Sequence, residues 1–242
     1  MTHITVEGGR GRSLPLSAIR GNGILARMSP LSDPPPDCML CPRLASLRGA
    51  LRRDHPGWFN APVPSFGDRD AWLAIVGLAP GLKGANRTGR VFTGDGSGAM
   101  LFEVLSECGI ARGTYGGDTA DGLRLDGAII VNALRCVPPG NRPLPSELRS
   151  CRPHLRGTLT GAAALRVIVA LGRIAHDATL DAFAIARADH RFAHGGRHQL
   201  ENGLVLIDSY HCSRYNQNIG RINHNMLRSV FELALRRDER CL

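Results

Sequence analysis

The chain has 242 residues, 43% of them hydrophobic, and 30 Lys plus Arg against 21 Asp plus Glu leave a formal net charge of +9. That apolar content excludes a wholly disordered chain, and no run of about 18 apolar residues is present to cross a membrane as a helix. A basic excess of this size favours a polyanionic partner over an acidic one.

The cations are almost all arginine, with Lys83 the sole lysine. Arginine makes bidentate contacts with phosphates and bases, which suits a nucleic-acid partner. A GC-rich coding sequence would also replace lysine by arginine, so the excess says more than the identity of its residues.

Residues 1–30 are rich in Gly and Arg, have no apolar period and read as a flexible N-terminal extension, with Met28 a candidate internal start. They carry no apolar signal core, so a cytoplasmic location is expected. Residues 31–242 have the length of a single domain. The stretch Ser29–Asp37 holds Pro30 and the triplet Pro34, Pro35 and Pro36, which predicts an extended lead-in.

Four apolar runs follow at wide spacing: Trp72–Gly77, Ala128–Ala133, Arg166–Leu171 and Leu204–Ser209. Nearly continuous apolar runs of this length fit parallel strands covered on both faces. Helical patterns lie between and after them, over Gly98–Cys108, Pro145–Leu159, Ile174–Ala186 and Ile222–Leu235. The second of these opens on Pro145 with Glu147 in its first turn, a favourable helix start. The expected fold is α/β: a three-layer α/β/α sandwich around a central, mostly parallel four-stranded sheet. Gly109–Leu125 is Gly-rich and weakly apolar and is expected to be a long loop on the functional rim.

In open α/β sheets ligands gather at the carboxyl ends of the strands. After the first run comes Gly77-Leu78-Ala79-Pro80-Gly81, and then Asn86-Arg87-Thr88-Gly89-Arg90 and Phe92-Thr93-Gly94-Asp95. Such a Gly/Pro loop can turn backbone N–H groups toward an anion or a base carbonyl, although a surface turn would look similar. No Gly-Lys-Ser/Thr ends it, so it is not a phosphate loop, and no nucleotide cofactor is expected. After the second run comes Asn132-Ala133-Leu134-Arg135-Cys136-Val137-Pro138-Pro139, and after the fourth Ser209-Tyr210-His211-Cys212-Ser213-Arg214-Tyr215-Asn216. A histidine at a strand end before a polar loop with Arg, Tyr and Asn points to catalysis beside nucleic acid; a structural histidine is the alternative.

Seven cysteines without an export signal argue against a disulfide framework. Cys38 and Cys41 form a C-x2-C pair, and Cys136 and Cys151 are split by fourteen residues. Zinc, an iron–sulfur cluster and plain burial all remain open on that spacing. Cys108 falls on an apolar helical face and is expected in the core, and Cys241 is expected to have no role.

Together these segments resemble the uracil-DNA glycosylase superfamily, and within it family 5, the B-type branch with an iron–sulfur cluster. The likeness runs from about Pro34 to Leu235. It implies a 4Fe-4S cluster of structural role on Cys38, Cys41, Cys136 and Cys151. It implies excision of uracil, and of other deaminated bases such as hypoxanthine, from DNA by a monomeric protein. Asp95, Asn132 and His211 are the implied catalytic residues, and Gly77, Ala79, Gly81 and Phe92 join Asn132 and His211 around the base. Asn86, Arg87, Ser213, Arg214, Tyr215, Asn216 and Arg221 are the implied DNA contacts. In the third motif Cys212 stands where the family usually has proline, so the loop lacks a ring-fixed φ. Near Ala79-Pro80-Gly81 no carboxylate or amide is present, which moves attention to Asp95. The competing expectation is a non-catalytic nucleic-acid-binding protein with a four-cysteine metal site.

Overall fold

The computed structural model describes residues 33–238. The expected extension at 1–30, the candidate start at Met28 and Cys241 lie outside the described residues. In chain order the elements begin with α1 (Pro42–Asp54), β1 (Phe66–Gly67), β2 (Leu73–Gly77), α2 (Ala85–Thr88), α3 (Gly96–Glu107), β3 (Ala111–Arg112), β4 (Arg124–Leu125) and β5 (Ala128–Asn132). They continue with α4 (Pro145–Gly161), β6 (Val167–Leu171), α5 (Arg173–Ala182), β7 (Arg197–Gln199), β8 (Val205–Ser209), α6 (Arg214–Asn218) and α7 (His224–Asp238).

The four apolar runs form β2, β5, β6 and β8, every residue of which is buried. They pair in parallel at the centre of a sheet ordered β1-β5-β2-β6-β8-β7. Alternate side chains feed two cores, as a period of two requires. Leu73, Ile75, Ile130, Val169 and Ile207 meet α3 and α7 through Leu101, Phe102, Leu227 and Phe231. Ala74, Val76, Ile129, Ile168 and Leu206 meet α4 and α5 through Leu155, Leu159 and Leu180. The three-layer sandwich is therefore the observed architecture.

The sheet has six strands, not four. The two additions, β1 and β7, are short antiparallel edges. Arg197-His198-Gln199 is wholly polar and only partly buried, so it carries no apolar signature. The long loop after α3 also contains a small antiparallel pair, β3 with β4. Among the described residues, no helix is long and apolar enough to cross a membrane.

Two registers set up the site. Gly77 pairs with Asn132 at the ends of β2 and β5, and Leu171 pairs with Ser209 at the ends of β6 and β8. The loops that leave these ends therefore start from one level.

Arg135, three residues past Asn132, is fully buried. Its guanidinium donates to Asp33 at 2.8 Å, to Thr158 Oγ1 at 2.7 Å and to Ser65 Oγ at 3.1 Å. These bonds join the lead-in, the segment before β1 and helix α4 to the end of β5. Arg135→Ala would leave Asp33 and Thr158 without their cation and is expected to cost about 3–5 kcal/mol of stability. A lowered urea midpoint at unchanged denaturant slope would show it.

Candidate active site and cysteine centre

A cavity of about 240 Å³ opens at the carboxyl end of the sheet, lined by Ala79, Gly81, Phe92, Asp95, Asn132, His211 and Ser213 among others. All three sequence motifs converge on it. Gly77 lies beneath, because a Cβ there would sit 2.4 Å from Asn132 Oδ1 and 2.9 Å from the Phe92 ring. A larger cavity of about 310 Å³ lies between α4 and α5, but Arg152 and Arg187 on its wall are both paired with Asp181.

Asp95 is the N-cap of α3. One carboxylate oxygen accepts from the backbone N–H of Ser97 at 3.0 Å and of Gly98 at 3.4 Å. The other lies against the preceding loop, where a Cβ on Gly84 would approach it to 2.4 Å. Capping thus aims one oxygen into the helix and leaves the other at the cavity. Phe92 is buried and takes the left-handed conformation, with φ 53°. Its ring stacks beside that of His211 at 5.8 Å between centroids. Burial pushes the His211 imidazole below its ordinary value, against an opposing pull from Asp95, so the ring is neutral at pH 7. Asn132 is buried, and its Oδ1 has no hydrogen-bond partner in the protein. A buried acceptor left unpaired costs about 1–3 kcal/mol, a cost that a ligand donor would remove.

The third motif continues into α6, which Ser213 caps by accepting from the Asn216 N–H at 3.3 Å. Arg214 and Tyr215 are exposed on this helix, and Tyr215 keeps 71% of its surface. Arg221 is exposed and lies over the Tyr210 ring at 5.8 Å. Arg87 is exposed beside the first loop, its Nε donating to the Lys83 carbonyl. Two expected DNA contacts are otherwise engaged. Asn86 is buried and donates to Asn60 Oδ1 at 2.9 Å. Asn216 donates inward to the His211 carbonyl at 2.8 Å and steadies the loop. Cys212 is fully buried, its thiol pushed up to about 12 by burial and donating to the Ser97 carbonyl, so it is no nucleophile.

Ser97 and Asn141 also line the cavity and escaped sequence reasoning. Asn141 has a positive φ of 56° in the turn after Pro138-Pro139, for which Gly140-Asn141 was the available signal.

The four expected ligand cysteines line one small cavity, with Leu44, Leu134 and Arg135 around them. Helix α1, which no pattern had predicted, begins directly after Cys41 and packs Leu44 against Leu134 and Cys151. Arg48 donates to Cys136 Sγ at 3.6 Å, and the Arg135 backbone N–H donates to Cys151 Sγ at 3.4 Å. Burial raises the thiols of Cys136 and Cys151 to about 11 and about 12, so deprotonation there calls for a bound metal. Among the described residues, no three of these sulfurs all lie within 4.8 Å of one another. Four thiols around one small cavity, two of them accepting from N–H donors, suit a thiolate-bound metal ion or cluster.

The chain is similar to known proteins over most of its length. The uracil DNA glycosylase superfamily profile matches residues 64–234. A type-5 uracil-DNA glycosylase of Thermus thermophilus is 44% identical over 205 residues, covering 82% of this chain and 93% of that protein. One of Mycobacterium bovis is 41% identical, covering 81% and 76%. One of Pyrobaculum aerophilum is 38% identical, covering 82% and 88%. A shared profile over most of the chain, and near full-length identity at this level, mean that the chain belongs to the uracil DNA glycosylase superfamily, among the type-5 uracil-DNA glycosylases.

Proposed function

We propose that the protein removes uracil from DNA by hydrolysing the N-glycosidic bond, leaving an abasic site for repair. The observation that carries this is the unpaired Asn132 Oδ1 on the wall of a cavity that also holds Phe92, Asp95 and His211.

A base stacked in a duplex cannot be reached, so the nucleotide swings out at a cost of a few kcal/mol, least at a mismatch. Exposed Tyr215 and Arg214, beside the cavity, are suited to fill the gap it leaves, and Arg87 and Arg221 to meet phosphates. Inside, Phe92 offers a flat platform. Asn132 Oδ1 accepts the uracil N3–H; cytosine presents a lone pair at that position and is repelled. Hypoxanthine has an N–H beside a carbonyl on the same edge, which extends the proposal to that base.

As the bond between C1′ and N1 breaks, its electron pair stays on the base and the sugar becomes cationic. Neutral His211 donates a hydrogen bond to the oxygen of the developing uracil anion. Asp95 stabilises the cationic sugar and orients the water that adds to C1′, the proton leaving to solvent. The four cysteines would hold a 4Fe-4S cluster, which would join the segment before α1 to the loop after β5 and to α4.

Four outcomes are expected. On a uracil-containing duplex treated with alkali after incubation, the protein breaks the strand at uracil. Intact strands with salt-dependent binding would leave a DNA-binding protein without catalysis. Asp95→Asn, which keeps the cap, is expected to lower single-turnover excision by about 10²–10³-fold, as when a preorganised electrostatic group is lost. Because the His211 value is depressed below 6.5, the ring stays neutral as pH falls through 6.5, and excision holds its rate there. A rate that halves at or above pH 6.5 would overturn the role of neutral imidazole. Anaerobically purified protein is expected to be brown and to hold about four irons per chain, and Cys151→Ser to lose them.

A further inference from the structure

The segment between β3 and β4, residues 113–123, contributes no lining residue to the base cavity, yet two of its side chains reach the turn that carries Phe92. The Tyr115 hydroxyl donates to the Phe92 carbonyl at 3.3 Å and accepts from the Gly94 N–H at 3.2 Å. Its ring stacks on Phe102 of α3 at 5.0 Å. Asp121 makes a two-pronged pair with Arg90 at 2.8 and 2.6 Å, with both side chains almost fully buried. Arg90 passes the constraint on, its Nε donating to Thr93 Oγ1 at 2.7 Å. Asp121 is fixed in turn by the backbone N–H groups of Gly116 and Leu123. Gly98 of α3 completes the junction, since a Cβ there would sit 1.7 Å from the Phe92 carbonyl oxygen and 2.5 Å from the Tyr115 hydroxyl.

The turn from Arg90 to Gly94 is thus gripped on both sides of Phe92. The grip has a reason. Phe92 occupies a left-handed conformation that a bulky side chain adopts only under restraint. Without restraint the residue would relax toward negative φ, and its ring would leave the cavity wall beside Asn132 and His211. We propose that Tyr115 and Asp121 are positioning residues for excision, a brace from outside the cavity that holds the Phe92 ring where the base must stack. The proposal rests on the glycosylase function proposed above.

The test is a double-mutant cycle on full-length protein with a uracil-containing duplex. Tyr115→Phe keeps the ring on Phe102 and removes only the hydroxyl. It is expected to lower single-turnover excision about tenfold, with KM changed by less than about twofold. In a Phe92→Ala background the same change should cost less than about twofold, because there is no ring left to place. Asp121→Asn is expected to behave in the same way and serves as the independent second variant. An equal loss in both backgrounds, or no loss on either variant, would overturn the brace. Wild-type protein that excises no uracil would instead overturn the function on which the brace depends.

Discussion

The site depends on one close approach. β2 and β5 run parallel in a register that pairs Gly77 with Asn132, and the absence of a side chain at Gly77 lets Asn132 Oδ1 and the Phe92 ring occupy the space above it. Any Cβ there would displace the amide, the ring or both. An amide that reads a base edge and a ring that carries its face are useful only when they sit a few ångströms apart. Both strands are buried over their whole length, so neither can shift to accommodate a larger residue. The geometry of recognition is therefore a consequence of sheet packing, and the loops contribute the chemistry on top of it.

The same strand ties recognition to the cysteine centre. Past Asn132 the chain runs through Leu134 and Arg135 to Cys136. Leu134 packs into the cluster of Leu44 and Cys151, and Arg135 is bound to Asp33, Ser65 and Thr158. Fully buried arginine is costly to desolvate, and its two terminal nitrogens meet acceptors from three distant segments. That arrangement favours one placement of β5 over near alternatives. A cluster on the four cysteines would act close by, its nearest ligand Cys136 four residues from Asn132.

Much of this was legible in the sequence because burial on both faces writes an apolar run, and the four central strands are such runs. The motif residues Asn132 and His211 were legible because each sits at or just after a strand end, and Asp95 because it follows a Gly/Pro-rich loop and opens a helix, where Gly, Pro and polar residues break the pattern. The edges were not: β7 reads Arg-His-Gln and faces solvent on one side, so polarity hides it. Helix α1 was missed because four of its thirteen residues are arginine, one of them buried beside a cysteine sulfur instead of facing solvent. Asn86 carried the pattern of a surface contact, yet its amide donates to Asn60. Tyr115 left no local signal, since its partner lies 23 residues earlier in the chain.

The third motif shows how a loop keeps its shape without the proline expected in it. Proline fixes one φ by its ring. Here Cys212 stands in its place and is fully buried, with its thiol donating to the Ser97 carbonyl. Asn216 and Gln217 of α6 reach back to the His211 and Cys212 carbonyls at 2.8 and 2.7 Å. Gln217 also donates to the Gly96 carbonyl at 3.3 Å. Gly96 and Ser97 are the first residues of the helix that Asp95 caps. The Cys212 thiol and the Gln217 amide therefore tie this loop to the Asp95 side of the cavity. His211 and Asp95 are placed relative to one another by this direct connection between their loops.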